Sequence, residues 1–418
     1  MKTTLGFCLT LCTVFILSSC KKERKNDPEP TASGEPVVVN TSFLALGAKD
    51  ITNNSAVSGI YIAQLGSETV TEAGICWSES PDPTTASNKI NVNVEVGIHA
   101  VNLTNLKNST VYYLRSYIVN ASGTSYGMQL IFHTKGIWTL NQQVPGKIND
   151  LISVESVMYA STESNGLYYS IYDGKSWMPS SLNNQKTRHL VQNEDYIYVG
   201  TSNAGVFYGK DIGSNWQQIN TGLDSLRITG MTAYNENVYV LTGGEIYRKS
   251  NSESKWTKLT LANSITPTSM WVSEVGVSIY DSLTSKQYYW DEEMSAFSYA
   301  GDPPFSNPYV VKNLRTKLFL GSATGNYLSF NNGEQWQNIT DNNLLNVPAR
   351  AFTENLGSIY AAAGNNVYIT GDEAIKWTPV TTGLPTGNSV VIRLLTHRIF
   401  VFAVSENNSV RTLYRLDP

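Results

Sequence analysis

A period of about forty residues governs the C-terminal part of this 418-residue chain. Large aromatic residues close successive units at Trp138, Trp177, Trp216, Trp256, Phe297, Trp336 and Trp377, spaced 39, 39, 40, 41, 39 and 41 residues apart. A second register places Gly166-Leu-Tyr168, Gly205-Val-Phe207, Glu245-Ile-Tyr247, Lys286-Gln-Tyr288, Gly325-Asn-Tyr327, Asn366-Val-Tyr368 and Arg411-Thr-Leu413 at one phase of seven units. A third consists of strand-like runs such as Tyr159-Ala-Ser-Thr162, Tyr198-Val-Gly-Thr201, Tyr239-Val-Leu-Thr242 and Phe319-Leu-Gly-Ser322. Three registers sharing one period leave little room for an irregular fold.

Each unit has space for about four short strands and shows no helical periodicity, which is the repeat of a β-propeller blade. The expected architecture is all-β, with a seven-bladed propeller over 138–418. The seventh unit lacks a closing aromatic, and the orphan Trp138-Thr139-Leu140 ahead of the first unit can supply its outer strand. Such an exchange would remove the exposed strand edge that invites aggregation.

The N-terminus reads as an address. Lys2 precedes a 13-residue, mostly apolar stretch from Leu5 to Leu17, the length of a secretory h-region and too short to span hydrocarbon. Leu17-Ser18-Ser19-Cys20 followed by Lys21-Lys22 resembles a bacterial lipobox. The resemblance implies a lipoprotein signal peptide over 1–19, lipidation at Cys20 and a membrane held through acyl chains. Lys21 in place of an aspartate favours the outer membrane, at the cell surface or on the periplasmic face. Residues 20–40 carry Pro28, Pro30 and Pro36 without apolar periodicity, as a tether would. With Cys8 and Cys12 in the signal and Cys20 lipidated, only Cys76 remains, so no internal disulfide is expected. Cys76 sits in a strand-like run and reads as a core thiol.

Residues 41–135 give short β-rich segments separated by turn signals. Leu106-Lys-Asn-Ser-Thr-Val-Tyr112-Tyr-Leu-Arg-Ser-Tyr117 resembles the entry to strand F of a fibronectin type III domain, with Tyr112 as the corner tyrosine. The resemblance implies a β-sandwich of the kind found as a spacer in Bacteroidetes surface proteins.

The turns before the closing aromatics resemble the Asp-box, Ser-x-Asp-x-Gly-x-Thr-Trp, of sialidase-like propellers. Gly209-Lys-Asp211-Ile-Gly213-Ser-Asn215-Trp216 and Ser329-Phe-Asn331-Asn-Gly333-Glu-Gln335-Trp336 match best, and Ser170-Ile-Tyr172-Asp-Gly174-Lys-Ser176-Trp177 keeps the Ser, Gly and Trp. The units ending at Trp256 and Phe297 have mostly lost the pattern. The whole region is similar to BNR-repeat proteins and photosystem II assembly factors, which implies the propeller fold.

Signals of catalysis are weak. Sialidase-like hydrolysis would need an arginine cluster gripping a carboxylate. Arg188, Arg227, Arg248, Arg315, Arg350, Arg393, Arg398, Arg411 and Arg415 stand in no such motif. Asp291-Glu292-Glu293 is the one acidic cluster of the repeats and reads as a solvated turn, not as facing carboxylates. His99, His133, His189 and His397 are scattered, so no metal site is expected, and no cofactor motif occurs. Trp271, Tyr288 and Trp290 are candidate ligand-binding aromatics within an aromatic-rich fourth unit, and Pro303–Tyr309 is a candidate face loop.

Composition bounds the partners. Thirty basic against 34 acidic residues, with 15% charged overall, argue against nucleic acid. The expected function is therefore that of a lipid-anchored, non-catalytic binding or scaffold protein whose propeller face recognises a glycan or an envelope protein. A divergent glycoside hydrolase and an assembly factor for a membrane complex are the alternatives.

Overall fold

The computed structural model describes residues 41–194, 196–210, 215–262, 264–339, 347–371 and 377–417. The signal segment, Cys20 and the tether over 20–40 lie outside the described residues, as do Asp211, Gly213 and Asp372 of the repeat turns. Among the described residues every regular element is a strand.

Residues 41–135 form two antiparallel sheets. Ser42–Lys49, Ala56–Gln64 and Gly97–Leu103 make the first. In the second, Glu72–Ser78 and Val111–Asn120 are central, flanked by Asn88–Val92, Gly123–Tyr126 and Leu130–His133. Alternating side chains place Ile60, Ile62 and Leu103 of one sheet in a common core with Ile75, Leu114 and Phe132 of the other. The Tyr112 hydroxyl accepts a hydrogen bond from the Lys107 amide at 2.9 Å, and its ring stacks on Phe132 with centroids 5.5 Å apart. Cys76 is buried, and desolvation pushes its thiol up to about 11, which leaves it protonated and inert.

The remaining strands build seven four-stranded antiparallel sheets. Their inner strands are Ile148–Val154, Thr187–Asn193, Ile228–Tyr234, Pro267–Ser273, Pro308–Leu314, Ala349–Asn355 and Val390–His397, which open blades 1 to 7 in that order. Each inner strand packs on the next, and that of blade 7 returns to that of blade 1, so the sheets close into the ring of a β-propeller. The hydrophobic cores lie between neighbouring blades. Trp256 of blade 3, for example, shares a cluster with Tyr198 and Val206 of blade 2.

The repeated tryptophans act as wedges between blades. The Trp256 indole donates to the Ile219 carbonyl of blade 2 at 2.8 Å, and the Trp336 indole to Gln287 of blade 4 at 3.2 Å. Trp177 of blade 1 reaches the carbonyl of Gln142, just past Trp138–Leu140, at 3.1 Å. Trp138–Leu140 itself pairs with Val410–Leu416 as the outer strand of blade 7, with Leu416 opposite Trp138 and Tyr414 opposite Leu140. Ring closure thus joins residues more than 270 positions apart along the chain.

Two of the repeat turns are tied by their serines. Ser329 Oγ accepts from the Gly333 amide at 2.8 Å, and Ser170 Oγ from the Gly174 amide at 3.0 Å. Both glycines have positive φ, which their place in the tight turn demands. Blade 4, whose unit lost this pattern, instead joins Lys286–Asp291 to a full six-residue outer strand, Ala296–Gly301.

Candidate functional site

A structural irregularity is repeated at one end of all seven inner strands. In blade 1, Ile148 faces Thr162 and Asp150 faces Ser161, so Asn149 is an extra residue. The same bulge falls at Arg188, Thr229, Thr268, Tyr309, Arg350 and Ile392 in blades 2 to 7. A bulge interrupts pairing and re-aims a side chain. Here it does so at the start of every inner strand, around one mouth of the ring.

Two clefts open at this mouth. One, of about 490 Å³, is lined by Tyr309, Arg350, Asn388, Arg393, Glu406 and Arg411, with Asn408 and Ser409 of the adjoining turn. The other, of about 510 Å³, is lined by Lys147, Asn149, Glu163, Lys186, Arg188, Arg227 and Arg411. Arg411 borders both and connects them.

The mouth has an excess of cations. Arg411 is held by Glu406 at 2.5 Å and donates to Asn149 at 3.1 Å. Arg393 lies 3.5 Å from Asp150, and Lys147 lies 3.7 Å from Glu163. Arg350 stacks over Tyr309, its guanidinium carbon 4.7 Å from the ring centroid. Lys186, Arg188, Arg227 and Arg350 have no carboxylate within ion-pairing distance among the described residues. His189, beside Arg188, adds no charge near neutrality because burial pushes it below the ordinary histidine range. On a chain of net charge −4 this is a segregated positive field, suited to an anionic partner.

The structure thus assembles what no local motif announced. Arg188, Arg227, Arg350, Arg393 and Arg411 converge on the mouth, although they lie up to 223 residues apart in sequence. The other propeller arginines are engaged elsewhere, Arg248 with Glu292, Arg315 with Glu354, Arg398 with Asp173 and Arg415 with Asp417. Tyr309 of the proline-rich loop belongs to the mouth, whereas Phe305 of that loop is core.

The aromatic trio of blade 4 does not form a shared platform. Trp271 is 3% exposed in the cluster with Tyr280, Phe305 and Tyr327. Trp290 is 7% exposed in a different cluster, edge-on to Phe297 at 5.3 Å. Tyr288 is half-buried beside Tyr299. Both indoles pack between blades and offer no open ring face to a ligand, so the alternation of the strands assigns them to packing. Glu292 is neutralised by Arg248 at 2.8 Å, and Asp291 Oδ1 accepts from the Met294 amide at 3.0 Å, which makes the acidic run a turn.

Among the described residues Ser153, His397 and Asp173 form a Ser-His-Asp constellation at the far ends of the inner strands. His397 Nδ1 lies 2.7 Å from Ser153 Oγ, and Nε2 lies 3.2 Å from Asp173 Oδ1. The imidazole is wholly buried between blades 7 and 1, and Arg398 takes up Asp173 at 2.9 Å. This arrangement is a clasp across the closing interface. Among the described residues no cluster of His, Cys, Asp and Glu suits a metal ion.

No family model matches the chain, and no curated protein matches it. Solved structures do. YCF48 from Cyanidioschyzon merolae superposes with a TM-score of 0.52 at 13% identity, over 68% of this chain and 99% of that one. YCF48 bound to D1 peptide gives 0.51 at 14%, over 67% and 97%. The extracellular domain of the hybrid two-component system BT4673 from B. thetaiotaomicron gives 0.53 at 12%, over 67% of this chain and 39% of that one. Identities this low speak for the fold alone. The chain is a β-propeller protein, one that carries a cationic mouth.

Proposed function

We propose that this is a lipid-anchored cell-envelope protein whose propeller binds or scaffolds an anionic partner at the cationic mouth, without catalysis. Lipidated Cys20 holds the chain to the outer membrane, and residues 21–40 form the tether. A fibronectin type III-like sandwich over 41–135 spaces the propeller from the surface. The Tyr112–Lys107 hydrogen bond and the two-sheet core support that spacer reading. The observation that carries the proposal is the set of uncompensated cations, Lys186, Arg188, Arg227 and Arg350, lining clefts at equivalent ends of the inner strands. A neighbour of the same fold, YCF48, is seen with a peptide, and another is an extracellular domain. A rigid ring that presents side chains from several blades suits such a role.

The test pairs anchorage with capture. Cys20→Ala should move the protein from the membrane to the soluble fraction, and unchanged fractionation refutes the anchor. Wild-type protein should retain an envelope component, glycan or protein, that the double variant R188S/R227S releases. Equal retention by both proteins would remove the mouth from the function.

A further inference from the structure

We infer that the ligand of the mouth is an acidic polysaccharide, a chain of sugars bearing carboxylate or sulfate groups; this rests on the binding role proposed above. Three features of the mouth point the same way.

The first is how the clefts are lined. Between the cations lie amides and hydroxyls: Asn388, Asn408 and Ser409 in one cleft, Asn149, Ser164 and Ser202 in the other. Apolar side chains are few, namely Val390, Ile392 and Tyr309 in the first cleft. Protein partners take most of their binding energy from aromatic and aliphatic anchors seated in desolvated pockets. Sugar hydroxyls instead need donors and acceptors arranged around the anion, and asparagine supplies both.

The second is the form of the charge. Arginine presents a planar fork of donors that matches a carboxylate or a sulfate with two parallel hydrogen bonds, so it reads geometry as well as charge. Arg188 and Arg227 come from neighbouring blades, and Arg350 from a more distant one. Arg188 and Arg350 share the bulge position and Arg227 shares with Lys147 and Lys186 the position just before the first paired residue, so the repeated fold distributes cations around the mouth. A polymer with anions at regular intervals can engage several of them at once, which multiplies weak single contacts.

The third is Tyr309. Its ring is 46% exposed and held by Arg350. A tyrosine fixed beside a guanidinium offers an apolar surface to a sugar ring next to the group that binds the sugar's anion.

The experiment is affinity electrophoresis and calorimetry of the full chain in mild detergent, with polygalacturonate, heparin, neutral dextran and poly-glutamate as probes. Polygalacturonate or heparin should bind, and affinity should fall as salt rises from low to high ionic strength. Arg188→Ser and Arg227→Ser should each weaken binding about tenfold, the scale of one charge-assisted hydrogen bond. Both residues lie at exposed strand ends, and equal melting temperatures of variant and wild type will show that the fold is kept. Poly-glutamate should bind at least about tenfold more weakly, because it lacks the hydroxyls that the asparagines and serines meet. Equal affinity for poly-glutamate would overturn the inference in favour of an acidic protein segment. Binding of neutral dextran as tight as that of the acidic chains, or full affinity in the double variant, would overturn it as well. Failure of every polysaccharide, with an envelope protein still captured through Arg188 and Arg227, would sink this inference and leave the binding role standing.

Discussion

Trp138→Ala is the substitution that tests how the ring closes. Trp138 is 2% exposed, its indole donates to the Val380 carbonyl at 2.6 Å, and its amide donates to the Thr382 carbonyl at 2.8 Å. It packs on Val380, Leu384 and Leu416, so it joins blade 6 to blade 7. A tryptophan side chain buries about 150–250 Å², and at ~25 cal/mol per Å² that burial stabilises by about 4–6 kcal/mol. Truncation of a buried tryptophan to alanine typically costs ~3–5 kcal/mol, and the orphaned Val380 carbonyl adds about 1 kcal/mol. For a domain of this size the melting temperature should fall by roughly 10 °C or more. Trp256→Ala is the internal control. Trp256 is also 2% exposed, with its indole on Ile219 at 2.8 Å and its amide on Thr221 at 2.8 Å. The two sites even share a glycine of positive φ, Gly383 and Gly222, whose lack of a side chain lets the tryptophan carbonyl approach. The two variants should therefore lose similar stability in differential scanning calorimetry. If Trp138→Ala melts like the wild type while Trp256→Ala does not, the exchanged strand does not close the propeller.

Two further outcomes follow from buried polar groups. Burial pushes His397 below the ordinary histidine range more strongly than Asp173 raises it, so the folded state resists protonation while the unfolded chain accepts it near pH 6.5. Its contribution is fully present above about pH 6.5 and is lost as pH falls through the lowered folded value, with a slope of at most ~1.4 kcal/mol per pH unit. His397→Gln should flatten the fall in melting temperature between pH 7.5 and pH 5, leaving the slope due to His189, which is shifted in the same direction. An unchanged slope in His397→Gln would show that the clasp is not titrating. In the N-terminal sheets, Tyr112→Phe removes the acceptor of the Lys107 amide and should cost about 1 kcal/mol in urea unfolding. A midpoint equal to that of the wild type would show that the bond contributes nothing to that unit.

The fold was legible and the site was not, and one cause explains both. A blade buries its aromatics against its neighbours, so Trp177, Trp256, Trp336 and Trp377 must recur in every unit that lacks another wedge. Packing forces the repeat into the residue types themselves. The mouth is repeated only in the backbone. The bulge falls at one position in all seven blades, yet that position holds Asn149, Arg188, Thr229, Thr268, Tyr309, Arg350 and Ile392, seven places with five residue types. Apart from Ile392, which packs against the core between blades 7 and 1, none of these side chains belongs to a hydrophobic core, so each blade can offer a different one to the partner. The sequence signal was their phase: Lys147, Lys186 and Arg227 each precede the first paired residue of their inner strand. Reading that phase requires knowing that the strand starts share one end of the ring. Trp271 and Trp290 show the converse error, because aromatic density alone does not distinguish a wedge from a platform until strand alternation and burial are known. In a repeat protein, therefore, the positions that keep their residue type are those that neighbouring blades need. The ligand-facing positions are best sought where the backbone repeats and the side chains do not.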